Sequence, residues 1–339
     1  MKKAGAEEKT AVEESRRNHS IQLLRVVACL LVFMVHFGQR MELDGMARRI
    51  TDFGSRGVQL FFLNSGYLAA STFVGKQNVD VRKYYTKRAI AILPLYYLAI
   101  SYYFITENFL NQFYDVIPTD ELGMGWLRYL FLLNGFLNSE TYFWSNLGIT
   151  WTIPIFVFFY LTAPWILRRV KDVRSGLLVW GSVLLACKGI QWIYPCTIAN
   201  HLPYLFWGVV LYCCASEGVS AQAIAWFAAA ALGFLTIKNS MAAYVCLFSC
   251  ILLAMLEIPN CALPGRIQRV VDTLDRYSYT LYLMHGVVFC SLIDRLVYRD
   301  VPKIFIAVLA VMGTSAATWI VGKYMEKPIQ SALRKRFLH

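Results

Sequence analysis

Arg25 and His36 stand eleven residues apart in one apolar run, SIQLLRVVACLLVFMVHFG, residues 20 to 38. At roughly 100° and 1.5 Å per residue, eleven steps make about three turns, so the two side chains share a helix face about 16 Å apart. An arginine at bilayer depth costs about 2.5–3.5 kcal/mol on insertion scales and persists where it meets a polar pocket or a partner. Imidazole titrates near physiological pH, which suits a general base. The plainer readings are an interfacial histidine at a helix end and a structural ion pair of Arg25 with a carboxylate of another span, Asp294 or Glu326. Further along, Lys83, Lys87 and Arg88 gather before an apolar stretch, where they would meet phosphates or anionic lipid heads. Asn64 and Ser65 place small polar groups ahead of Gly66, as hydrogen-bond donors or as a packing seam. His285 with Tyr282, and Trp151 with Tyr160, complete the polar and aromatic candidates. Lys188 lies inside an apolar stretch and reads as a snorkelling cation.

These groups need a membrane scaffold. The 339 residues are 58% hydrophobic and 16% charged, against about a quarter charged in soluble domains. The pattern predicts an all-α, polytopic bundle of about ten transmembrane helices: 20–38, 57–74, 89–106, 147–167, 176–194, 200–215, 221–237, 241–257, 279–297 and 303–324. Residues 1–19 mix both charge signs without an apolar core and read as a disordered cytoplasmic tail, 20–328 as the membrane domain, and 329–339 as a basic cytoplasmic tail. Lys and Arg outside the spans concentrate on the side shared by the termini, which predicts both termini in the cytoplasm of a multi-pass cell-membrane protein. The connection 107–146 is acidic and so expected outside. Its apolar middle, WLRYLFLLNGFL, is re-entrant, flat on the interface, or a plain loop. The net charge of +12 sits in short loops flanking spans, which argues against a nucleic-acid partner. The nine cysteines lack metal-ligand spacing and read as buried thiols. No internal repeat is visible, which weighs against a transporter of paired halves.

Six blocks in order resemble the membrane-bound acyltransferase family 3, whose members acylate sugars of polysaccharides, cell-wall polymers and antibiotics. They are LLRVVACLLVFMVH, GVQLFFLNSGYL at 57–68, YYTKRAIAILPLYYL at 84–98, TWTIPIFVFFYLTAP, RYSYTLYLMH at 276–285 and MEKP at 325–328. Two positions depart from the family pattern. Ala91 stands where members often carry a second arginine before the proline of the third span, and IPIFVFF lacks the glutamate often found after the tryptophan.

The resemblance implies a stand-alone O-acyltransferase that moves an acetyl or short acyl group from acetyl-CoA or a related acyl-CoA to a sugar hydroxyl of a cell-surface glycan or similar acceptor, with no metal. It makes His36 the base and Arg25 the residue that orients the donor. Lys83, Lys87, Arg88, Asn64, Ser65 and His285 are expected to hold the donor, and Trp151, Tyr160 and Tyr282 the sugar. The expected partners are acyl-CoA, a carbohydrate acceptor and membrane lipids, with homo-oligomers or a glycan-synthesis complex open. The rival reading is a transporter or flippase for a lipid-linked sugar, because intramembrane charges also mark substrate paths. An accessory to a glycan synthase is a third.

Overall fold

The computed structural model describes residues 2–109, 127–136, 145–218, 221–237, 240–257, 264–299 and 301–338. Among them every regular element is helical. Helix α1 runs Lys2–Arg40, so helical backbone continues through the segment where composition predicts a disordered tail. After α2 (Gly45–Asp52) and a 3-10 turn come α3 (Gly57–Phe73) and α4 (Val81–Phe109). The middle of the chain forms α5 (Thr152–Leu167), α6 (Val173–Ile193), α7 (Thr197–Glu217), α8 (Ala221–Thr236) and α9 (Ser240–Glu257). Helix α10 (Gly265–Arg276) precedes α11 (Ser278–Met284), which a π-helical turn, His285–Cys290, joins to α12 (Ser291–Leu296). Helix α13 (Lys303–Val321) continues through a second π turn, Gly322–Glu326, into α14 (Lys327–Phe337). The residues expected to be a loose basic tail thus end a helix that packs on α4.

All ten predicted spans are helical, but among the described residues six helices are long and apolar enough to cross a bilayer by length and composition. The other four fall short for physical reasons. Helix α3 has 17 residues and α8 has 16, α9 counts among the shorter apolar helices, and the stretch 279–297 carries His285, Asp294 and Arg295 among its apolar residues.

The core is organised around α3, which packs most extensively against α7. One side of α3 sends Phe62, Ala69, Ala70 and Phe73 into a cluster with Phe159, Leu205 and Phe206. Another sends Leu60, Leu63 and Tyr67 against Leu24 and Ala28 of α1. Burying each such side chain contributes about 1.5–3 kcal/mol relative to exposure in water. Within a bilayer the packing itself matters more, because lipid tails are as apolar as leucine. Gly66 of α3 lies against the carbonyl of Leu205, and Gly208 of α7 lies against the carbonyl of Leu63. The two backbones therefore touch from both sides.

Residues 127–136 hang from α4. Tyr96 donates its hydroxyl hydrogen to the Tyr129 carbonyl at 2.8 Å, and Tyr97 to that of Leu130 at 3.0 Å. Leu127, Leu130, Phe131 and Leu133 are exposed, an apolar face that suits a bilayer interface. Most of the acids of this connection fall outside the described residues. Lys188 lies on the exposed face of α6 and reaches Gln191 at 3.3 Å, as a snorkelling cation would.

Candidate active site

A cavity of about 210 Å³ opens between α1, α3, α4, α5 and α11. Its polar wall is Arg25, Ser65, Arg88, Thr152, Ser278 and Tyr282, and its apolar wall includes Phe61, Ile153 and Phe156. Residues 58, 61, 65 and 68 recur at three and four positions, so one stripe of α3 faces this space while its neighbour Gly66 faces α7. Five sequence-predicted residues, Arg25, Ser65, Arg88, Tyr160 and Tyr282, therefore meet at one cavity.

Arg25 does not pair with Asp294 or Glu326. Its Nη1 lies 3.2 Å from Asp275 Oδ1, a close ion pair without hydrogen-bond alignment, and its Nη2 donates to Ser278 Oγ at 3.2 Å. Asp275 ends α10 and Ser278 opens α11, with the helix broken between them at Tyr277 (φ −101°, ψ 10°). Burial pushes the Asp275 carboxyl above the usual carboxylate range, and the Arg25 charge opposes that shift. Asp294 is occupied by Arg40, and Glu326 accepts from Thr280 and, at 3.1 Å, from Gln330.

Past Tyr282 the site becomes a histidine pair. The ring of His285 lies 5.2 Å from those of Tyr282, His36 and Phe33. His285 is fully buried, and its Nδ1 is hydrogen-bonded to the Tyr282 carbonyl. A carbonyl oxygen only accepts, so Nδ1 carries the hydrogen and Nε2 of neutral His285 is left with a free lone pair. That Nε2 is buried with no hydrogen-bond partner among the described residues. The π turn starting at His285 widens the helix here, a local feature common at functional sites. His285 thus lies beside His36, the expected base.

At the other end, Lys83, Lys87 and Arg88 line a second cavity of about 590 Å³, which shares Arg88 and Ala91 with the first. Lys83 and Lys87 are exposed, whereas Arg88 is half-buried, its guanidinium over the Tyr160 ring at 4.5 Å and the Tyr84 ring at 5.4 Å. From end to end the order is a basic mouth, a narrow chamber holding Arg25, and the histidine pair.

An acyltransferase-domain family profile matches residues 18–323, which takes in all three parts. The chain belongs to this acyltransferase family. It is 30% identical over 174 residues, 47% of each chain, to ORF330 of Acidianus two-tailed virus, named as an acetyltransferase. It is 27% identical over 207 residues to nodulation protein 10 of Rhizobium leguminosarum bv. viciae, covering 53% of this chain and 51% of the relative. The matches thus span about half the length of each relative. No solved structure matches the chain.

Two acyltransferase candidates, Asn64 and Trp151, sit apart from the cavity. Asn64 is fully buried off the lining stripe, and its amide has no hydrogen-bond partner among the described residues. Trp151 packs on His201 at 4.6 Å and Phe62 at 6.2 Å. Tyr160 lines the cavity at its mouth end, where its ring takes the Arg88 guanidinium. Reasoning from sequence missed Asp275, although it directly precedes the block RYSYTLYLMH.

Proposed function

We propose that this membrane acyltransferase moves an acetyl or short acyl group from acyl-CoA to a sugar hydroxyl of a glycan or similar acceptor. The observation that carries the reading is the order of three adjoining parts: the basic mouth, the chamber that shares Arg88 and Ala91 with it, and the histidine pair packed behind Tyr282 of the chamber wall. On this reading the donor enters from the cytoplasm with its phosphates at Lys83, Lys87 and Arg88. Its pantetheine arm lies in the chamber, and the thioester reaches Tyr282 and the histidines. His36 takes the hydroxyl proton, the oxygen attacks the thioester carbonyl, and the thiol leaves and takes up a proton. Proton removal is needed because a hydroxyl is a poor nucleophile at neutral pH. His285, whose ring lies 5.2 Å from that of His36, and Gln39, which hydrogen-bonds to His36, together hold the His36 ring in place. Arg25, about 16 Å along α1 from His36, is too far to touch the same carbon, so its part is to hold the donor arm.

Acetyl-CoA tests the reading directly. A ligand that binds the folded state stabilises it by RT ln(1 + [L]/Kd), about 2.7 kcal/mol at 100 times Kd. Purified protein should show a Tm that rises with acetyl-CoA and a product carrying the acetyl group. Sugar transport without thioester consumption would favour the transporter instead.

The Arg25 pair separates structure from function. Asp275→Asn keeps the shape and removes the charge, at a cost of about 1–2 kcal/mol for a pair between exposed and buried. In Arg25→Gln/Asp275→Asn the losses should sum to less than the two singles, because the orphaned charge is gone. Acyl transfer should stay low wherever Arg25 is replaced. Activity that recovers with stability in the double variant would make Arg25 a structural residue only.

A further inference from the structure

The mouth holds a cation that the family blocks do not contain. Arg334 of α14 lines the same cavity as Lys83, Lys87 and Arg88, although it lies far from them in sequence. Next to it, Arg334 with Lys327 and Lys335 lines a groove of about 350 Å³. Among the described residues no carboxylate lies within ion-pair distance of Lys83, Lys87, Arg88 or Arg334. Arg334 Nη2 makes one long hydrogen bond, 3.4 Å to Gln330 Oε1. Asp80 is the acid in the wall, and its Oδ1 accepts from the Lys83 backbone N–H at 2.9 Å at the start of α4. Four cations on two helices around one cavity whose wall holds a single acid, Asp80, leave a net positive seat for a polyanion. Arg88 and Ala91 line both this seat and the chamber and so mark the neck where the two adjoin.

We propose that α14 completes the donor site: Arg334, backed by Lys327 and Lys335, binds nucleotide phosphates of the acyl donor jointly with Lys83, Lys87 and Arg88. This rests on the acyl-CoA reading above. The nucleotide end of coenzyme A carries a pyrophosphate and a separate 3′-phosphate, so its charge is spread widely enough to engage cations from two helices. A lipid head offers a single phosphate and has no use for the neck. Arginine adds a planar fork that matches a phosphate in two directions. The charge missing at Ala91 is thereby supplied from the end of the chain.

The test uses the full chain, purified in detergent, with coenzyme A, 3′-dephospho-coenzyme A and pantetheine as probes. Arg334→Gln should weaken coenzyme A binding about tenfold, the loss for one charged hydrogen bond at a partly exposed site. Pantetheine, which has no phosphates, should be unaffected. The KM for acetyl-CoA should rise in parallel with kcat unchanged within about twofold. Arg334→Lys should recover part of the loss, and Lys188→Gln on exposed α6 should change nothing. Unchanged coenzyme A affinity in an Arg334→Gln protein of normal Tm would overturn the proposal. So would a loss confined to binding of phosphatidylglycerol vesicles, which would make the groove a lipid site. A native protein that binds pantetheine and coenzyme A equally would refute phosphate recognition while keeping the acyl-CoA reading. Failure to bind any of the three probes would remove both.

Discussion

His36→Ala is expected to lower acetyl transfer by about 10²–10⁴-fold, the usual contribution of a positioned general base, with the folded protein and its affinity for coenzyme A retained. The retention follows from geometry. His36 is half-buried near the C-terminal end of α1, beyond Tyr282, whereas the donor's phosphates would lie at the basic mouth. His285→Asn removes a ring that packs on Phe33, Tyr282 and His36, so some stability goes with it. Its expected loss of activity is smaller, about 10–100-fold, because it acts by holding the His36 ring in place. The informative variant is the double one. If the two rings act as a unit, His36→Ala/His285→Asn should be no slower than His36→Ala, since an orienting group has nothing left to orient. Multiplying losses would mean that each ring touches the reaction separately. A larger loss from His285→Asn than from His36→Ala would reverse the roles and make the free Nε2 of His285 the base. Single-turnover measurements with saturating acetyl-CoA would decide, because they exclude effects on donor binding.

How much of this was readable from the sequence depends on range. The co-facial pair on α1 follows from spacing alone, and five of the six family blocks sit on the helices that wall the chamber. Partner choice did not follow. A helical sequence fixes which face a residue lies on but not which neighbouring helix crosses that face. Asp294 and Glu326 were sound candidates for Arg25 by charge, yet Arg40 and Thr280 occupy them and Asp275 arrives from α10. The π turn at His285 was equally invisible, because it depends on packing and has no composition of its own. Arg334 was read as tail charge because nothing in a short basic segment says that it folds back on α4. In each case the missing information is a contact between residues distant in sequence.

The contact between α3 and α7 gives the largest structural effect. Gly208→Ala is expected to destabilise the protein by about 3 kcal/mol, at the upper end of overpacking costs. The added Cβ would overlap the Leu63 carbonyl oxygen and stand 2.9 Å from the Tyr67 nitrogen. These are backbone atoms of a helix, so no rotamer change relieves the clash and the helices must separate. Gly66→Ala meets the Leu205 carbonyl from the opposite side, with its Cβ 2.8 Å from the Leu205 carbonyl carbon, and should cost a similar amount. Because either change alone forces the helices apart, the double variant should lose less than the sum, with a coupling of about 0.5–3 kcal/mol. Gly181→Ala on α6, where an added Cβ meets nothing within 4 Å, should be neutral or slightly stabilising. Thermal unfolding of the purified variants reads all four, and an unchanged Tm for Gly208→Ala would disprove the close crossing. Activity extends the argument. Helix α3 carries Val58, Phe61, Ser65 and Leu68 of the chamber wall, so pushing it away from α7 moves them relative to Arg25 and Tyr282. A misplacement of about 1 Å can cost about 10²-fold in rate. Surviving Gly208→Ala protein should therefore be far slower per folded molecule than Gly181→Ala, although Gly208 touches neither donor nor acceptor.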